Sequence, residues 1–297
     1  AYKDQSNEYF DFEVDNSTPV KAKSDDALNI MRHDMAHVLA EAVTTIFPNA
    51  KPTIGPFIKN GFYYDFDMEN TLSDSDLNNI ESKITDILKE GRNFTKKTVS
   101  KDQALELFKD NEYKIELIKN LDNSSEINLY EQENFTDLCK GPHHKSTKEY
   151  DAHVKITSVS GAYWRGISTN KMLQRIYATA FYSEKDLNKY LKNLEEAKER
   201  NHRRIGTDMG LFLLTDLSAG NVFWKEKGLS LYQNIEKYIR SEQQKLTYKE
   251  VKTPELVSNE LWIKSGHWDN FKENMFTSET DNKTCLLYTS PSPRDEQ

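Results

Sequence analysis

The chain has 297 residues, 30% of them charged, with a formal net charge of −8 and two cysteines. At roughly 150 residues per domain, that length suggests two domains. The acidic balance excludes a partner recruited by bulk positive charge, and two cysteines exclude a disulfide framework and fit a reducing cytoplasm.

Apolar runs such as Leu211–Leu214 fall far short of the about 20 residues a membrane-spanning helix needs, so no membrane association is expected. The first residues show no signal-peptide layout and no initiator Met, so the true start is expected upstream. Residues 1–24 are polar and turn-rich and read as the end of an upstream module or a linker. Ser24, Asp25 and Asp26 then supply a cap and an acidic first turn. Leu28, Met31, Met35, Leu39, Ala42 and Ile46 follow at helical spacing, and Pro48 closes the helix. His33 and His37 share a face nearly opposite that stripe. Residues 53–66 predict a turn and strand, with Asn60-Gly61 before aromatics as a hairpin signal. Residues 73–90 predict an amphipathic helix ended by Gly91. Ser100-x-x-Gln103 is a capping box for a short helix through Phe108.

From 112 to 181 strand-like pieces dominate, including Val154–Ile156 and Arg175–Phe181. The layout is α+β. Ser183-x-x-Asp186 opens a charged helix to about Arg204, read as a connector. Its basic end reads as solvated, or as able to touch an RNA backbone. A second domain is expected from about Gly210, with a helix over 229–244 and a strand running to Pro254.

Two pairs carry the chemistry. His33-x-x-x-His37 puts two imidazoles side by side on a helix. Cys139-Lys140-Gly141-Pro142-His143 cannot be continuous helix, and a tight turn there folds Cys139 and His143 toward one point. Together the four suit tetrahedral zinc; without metal, the same groups position and deprotonate a water. Spacing alone leaves open whether His144 takes the place of His143.

The stretches ALNIMRHDMAHVLAEAV, IGPFIKNGFYYDFD and FTDLCKGPHH resemble the editing domain of threonyl-tRNA synthetases. RIGTDMGLFLL, the helix–strand unit ending at Pro254, and LWIKSGHWDNFKENMF resemble the start of that family's class II catalytic domain, including motif 1. The resemblance covers residues 20–286. It implies an editing domain over 25–183, a linker helix over 184–209 and the start of an antiparallel-sheet catalytic domain over 210–286. Residues 1–24 would be a remnant of a ubiquitin-like domain or linker, and 287–297 a non-native tail. The intact enzyme would join threonine to threonine tRNA with ATP, magnesium and one catalytic zinc, as a cytoplasmic homodimer.

Serine lacks one methyl of threonine, a difference worth only about 1–3 kcal/mol, so a second, hydrolytic sieve is needed. By resemblance the pocket comprises His33, His37, Tyr64, Lys114, Asp137, Cys139 and His143. His33 and Lys114 would handle the water, Lys114 as a neutral base or as a charged oxyanion partner. Asp137 would receive the serine amino group, Tyr64 would pack beside the terminal adenosine, and His37, Cys139 and His143 would shape the pocket. The threonyl branch implies a site that works without metal. An alanyl-type or free-standing editing protein with zinc on His33, His37, Cys139 and His143 is the alternative; a non-catalytic RNA-binding or structural zinc module is a third reading. Motifs 2 and 3 do not occur, so no ligase activity is expected of the chain as written.

Overall fold

The computed structural model describes every residue except 5, 7, 12–16, 123–126, 134, 219–220, 252–253, 269–274, 281–282 and 288–297. The chain forms two compact units, Ala1–Arg200 and Asn201–Gln297.

In the first unit, short strands β1 (Tyr2–Lys3), β2 (Tyr9–Phe10) and β3 (Thr18–Pro19) form a small antiparallel sheet. Ser24 then caps α1 (Asp25–Ile46), its side chain accepting from the Ala27 amide. Met31, Met35, Leu39 and Ala42 are buried, as their spacing requires. The opposite face does not meet solvent, contrary to a one-sided amphipathic helix: Arg32, Asp34, His37 and Glu41 are buried too. The helix packs against α2, β6 and β11 and also against β9. A helix covered on both sides must satisfy its polar face internally. Arg92 Nε donates to Glu41 Oε1 at 2.8 Å, and Gln132 Nε2 donates to Glu41 Oε2 at 2.6 Å.

A five-stranded antiparallel sheet forms the main platform: β10 (His153–Tyr163), β11 (Met172–Phe181), β6 (Gly61–Asp67) and β4 (Lys51–Pro52) in order, with β5 (Phe57–Ile58) also paired to β6. The β5–β6 turn is the expected Asn-Gly hairpin. Asn60 takes φ 67°, and a Cβ on Gly61 would lie 2.4 Å from the Ala178 carbonyl oxygen. Strand alternation sends Phe62, Tyr64 and Phe66 into the core, all fully buried. On the other face Arg175 pairs with Asp65 at 2.7 Å and lies 3.9 Å over the Tyr63 ring. Helix α2 (Asp74–Glu90) starts at a Ser73/Asp76 capping box and ends at Gly91, φ 82°. It contributes Ile80, Ile84 and Ile87 to the same core.

A second sheet, β7 (Thr95–Val99), β8 (Ile127–Gln132) and β9 (Phe135–Leu138), is antiparallel throughout. The Ser100/Gln103 capping box starts α3 (Lys101–Leu107) as expected. Residues 112–119 are helical rather than strand-like: α4 (Glu112–Lys119) begins where the Asn111 side chain accepts from the Tyr113 and Lys114 amides. That cap places Lys114 in the first turn, with its side chain inward. The charged helix predicted to run to Arg204 is two helices, α5 (Glu184–Glu199) and α6 (His202–Asp208). Asn201 breaks the run because its side chain accepts from the Arg203 amide and caps a new helix.

In the second unit, β12 (Phe212–Leu213) pairs with β13 (Phe223–Trp224). Helix α7 spans Glu226–Lys245, a turn longer at its start than expected. Of the strand expected to run to Pro254, residues 248–251 are not in a strand and residues 252–253 lie outside the described residues; β14 (Leu256–Ser258) starts just beyond the proline, which has no amide to give to a ladder. After α8 (Glu260–Lys264) come β15 (Thr277–Thr280) and β16 (Lys283–Leu287), in the order β14-β16-β15. Of the supposed tail only Leu287 is described, and it still belongs to β16; the rest of that segment, and residues 269–274 of the LWIKSGHWDNFKENMF stretch, lie outside the described residues. No helix among the described residues is long and apolar enough to cross a membrane.

Candidate active site and metal centre

All seven side chains singled out in the sequence lie in the first unit and form one continuous polar cluster. Helix α1 places His33 and His37 one turn apart, their ring centroids separated by 5.3 Å. Strand β9 ends at Leu138, and the following turn brings Cys139 and His143 onto that face of α1. Cys139 Sγ lies 3.3 Å from His33 Nε2 and 3.3 Å from His143 Nε2. The Gly141 amide donates to the same sulfur at 3.2 Å. The turn is tight enough to exclude a side chain at Gly141, which has φ 79°; a Cβ there would lie 2.2 Å from the Tyr130 hydroxyl.

Deeper lies a second group. Asp137, the next-to-last residue of β9, pairs with Lys114, accepts from the Tyr64 hydroxyl at 2.6 Å and stands 3.6 Å from His37 Nε2. Lys114 Nζ also reaches the Tyr64 hydroxyl at 3.4 Å. Lys114 and Asp137 are only 2% and 3% exposed. Tyr64 is placed differently from expectation: its ring is fully buried in the core and its hydroxyl faces Asp137, leaving no ring face for an adenosine.

Electrostatics set the protonation of the inner cluster. Burial pushes the Cys139 thiol up, but His33 and His143 outweigh it and hold the thiol well below its ordinary range. Burial lowers His143, yet Cys139 and Asp34 together raise it to about 10. Both directions favour a thiolate–imidazolium pair between Cys139 and His143. His37 is lowered by burial and by repulsion from His143. Tyr64 is raised well above its ordinary value, first by burial and then by Asp137.

The donor atoms of His33, His37, Cys139 and His143 all lie within 4.8 Å of one another. One thiolate sulfur and three imidazoles are a donor set that suits zinc. His37 Nδ1 is buried without a hydrogen-bond partner, as a nitrogen reserved for a ligand would be. These observations correct the expectation of a site built to work without metal: the cluster has the donors and the convergence to hold one.

The sequence reading missed the residues that surround this cluster. Asp34, between the two helix histidines, is fully buried and binds both His143 and His144. His144 thus does not substitute for His143; it stands outside the four-residue set. Phe94 stacks on His143 with centroids 5.0 Å apart and planes 13° apart, and Tyr130 lies against it at 4.4 Å. Only Asp34, a charged residue at a core-facing helical position, left a trace in the sequence. Beside the cluster a cleft of about 670 Å3 opens, lined in part by Phe94, Lys96, Tyr130, His143, His144 and Lys145.

Comparison with known proteins agrees with this architecture. Residues 127–177, which span β8, β9, the Cys139–His143 turn, β10 and part of β11, match the family described as the threonyl and alanyl tRNA synthetase second additional domain. The class is therefore that of aminoacyl-tRNA synthetases bearing this accessory domain. Over 264 residues the chain is 46% identical to a threonine--tRNA ligase of Marinobacter nauticus, a match covering 88% of the chain and 41% of the relative. It is also 46% identical to one from Ehrlichia canis over 270 residues, covering 90% and 42%. A solved RNA binding domain of threonyl-tRNA synthetase from Cryptosporidium parvum shares 37% identity over 30% of this chain and 22% of that one; its TM-score of 0.29 is too low to speak to the fold. The chain belongs to the threonine--tRNA ligase family, and it spans about two fifths of the length of the curated relatives it matches.

Proposed function

We propose that residues 25–183 hydrolyse the ester of serine mischarged onto threonine tRNA, as the proofreading part of a threonine--tRNA ligase. The observation that carries this reading is the convergence of His33, His37, Cys139 and His143 above the buried Lys114–Asp137 pair, beside an open cleft. Ester hydrolysis needs an activated water and a stabilised oxyanion. His33, half-buried and turned toward Cys139, would orient the water and take its proton. Lys114, paired with Asp137 beside the Tyr64 hydroxyl, would stabilise the oxyanion. A divalent ion such as zinc, held by His37, Cys139 and His143 with His33 left free as the base, would keep a position open for water, lower the pKa of that water and polarise the ester. His143 would then be oriented by Asp34, and His37 would offer its free Nδ1. Selection of serine would rest on Asp137, whose carboxylate would suit an ammonium in exchange for its contact with Lys114.

Within this reading residues 1–24 are a remnant or linker, 184–209 a connector, and 210–286 the start of a class II catalytic domain. Threonine, ATP with magnesium, threonine tRNA, a catalytic zinc and a homodimeric, cytoplasmic setting belong to the whole enzyme. The test is release of serine from seryl-threonine tRNA by the purified chain, with and without added zinc. Release that falls at least about 100-fold in His33→Ala, with unchanged folding, supports the reading. No release, or equal release from the variant, sinks it.

A further inference from the structure

Asp34 receives four donors while fully buried. His143 Nδ1 lies 2.8 Å from Oδ1 and the His144 amide 3.3 Å from the same oxygen. His144 Nδ1 lies 2.6 Å from Oδ2, and the Tyr150 hydroxyl donates to that oxygen at 2.7 Å. An ionised carboxylate can only accept, so each imidazole must present a protonated Nδ1 to it. For His143 this has a directional result, because its other nitrogen, Nε2, is the one 3.3 Å from Cys139. The ring is also clamped from its faces by Phe94 and Tyr130. Helix α1 thus supplies two inner histidines and, from the position between them, the carboxylate that aligns a third.

We propose that Asp34 is a positioning residue of this site: it keeps the proton of His143 on Nδ1 and so reserves Nε2 for Cys139 and whatever the four-residue cluster holds. A carboxylate behind a ligating imidazole fixes its tautomer and orientation, and losing such a partner typically costs about 10–100-fold in metal affinity or activity. The function of this alignment rests on the hydrolytic reading above, but the alignment itself does not.

The experiment uses the full chain with 15N-labelled histidine, comparing wild type, Asp34→Asn and Tyr150→Phe. Long-range 1H–15N spectra of the chain with zinc added, where a ligating His143 keeps a single ring proton, read which nitrogen carries it, with His143→Asn assigning its signals. In wild type and in Tyr150→Phe, which keeps the carboxylate, Nδ1 stays protonated. In Asp34→Asn the amide nitrogen can face the ring, and Nδ1 loses that fixed proton. Affinity for zinc alone, read by chelator competition, falls about 10–100-fold in Asp34→Asn, and kcat for serine release falls with KM little changed. A wild-type His143 with an unprotonated Nδ1 overturns the proposal even if Asp34→Asn does not fold. So does an Asp34→Asn spectrum and zinc affinity matching wild type. A chain that releases no serine but shows the Nδ1 switch would defeat the hydrolytic reading and leave the alignment standing.

Discussion

Replacing Asp137 by Ala should unfold the first unit far more readily than the loss of one surface charge would. The carboxylate is 3% exposed and serves Lys114, the Tyr64 hydroxyl and the Leu138 amide at once. Alanine leaves the 2%-exposed Lys114 ammonium with no carboxylate. Breaking a buried pair from one side costs about 3–5 kcal/mol, because an uncompensated charge stays in a poorly polarisable interior. Against a domain stability of about 5–15 kcal/mol, that is a third or more of the margin. Hydrogen exchange of α1 amides across a urea series reads the first unit directly. Asp137→Ala should lower their opening free energy by about 3–5 kcal/mol, and Lys114→Met with Asp137→Leu should recover most of it, since apolar replacement of both partners is often neutral. A loss below about 1 kcal/mol, or a double variant no better than the single, would refute the claim that these groups pay their desolvation through each other.

Cys139→Ala should lower zinc affinity at least about tenfold in a chelator-competition titration while leaving the far-ultraviolet dichroism unchanged, since it removes the one thiolate of the set. Gly141→Ala forces a left-handed backbone at about 1–2 kcal/mol and drives a methyl into the Tyr130 hydroxyl; a lowered melting temperature together with weaker zinc binding is expected, and an unchanged melt counts against the tight turn. The pH dependence of stability in chelator-treated protein follows from the thiolate–imidazolium pair. His143, raised from 6.5 to about 10, adds stability that is complete below pH 6.5 and lost as pH rises through about 10. Cys139, depressed from 9.0, adds stability that is complete above pH 9 and lost as pH falls through its folded value. Between about pH 6.5 and 9 the folded and unfolded forms of the pair carry equal protons, so its contribution is level there and declines on both sides. Urea midpoints of wild type minus Cys139→Ala, taken across pH 5–10.5, would show this plateau; a steady slope through neutrality contradicts the pair.

Much of the scaffold was legible because its signals are local. The Ser24 and Ser100 caps, the Asn60-Gly61 hairpin and Gly91 each act within a few residues, and each appears where the sequence places it. The convergence of His33, His37, Cys139 and His143 was legible as a pair of pairs, helped by the scarcity of cysteine. Helix α4 was not, because eight residues are too few for a periodic stripe and only the Asn111 cap announces it. Nothing local therefore marks Lys114 as buried, and its burial depends on partners 23 and 50 residues away in sequence. The break between α5 and α6 turns on one Asn side chain competing with the helix ladder. Burial of the polar face of α1 was hidden for a different reason: periodicity reports that two faces differ, and cannot report that both are covered. The expectation about metal came from resemblance alone, and the donor geometry of this chain overrides it.

Strand β6 carries Phe62, Tyr64 and Phe66 on one face, and Tyr64 stacks on Phe66 with centroids 5.0 Å apart. A single oxygen separates the middle residue from its neighbours, and that oxygen is what reaches Asp137. Polar cluster and hydrophobic platform therefore share a wall one atom thick. Tuning of the pocket from this side is confined to exchanges that leave a six-membered ring in place, so variation in specificity has more room on the cleft side, among the half-buried side chains following Cys139.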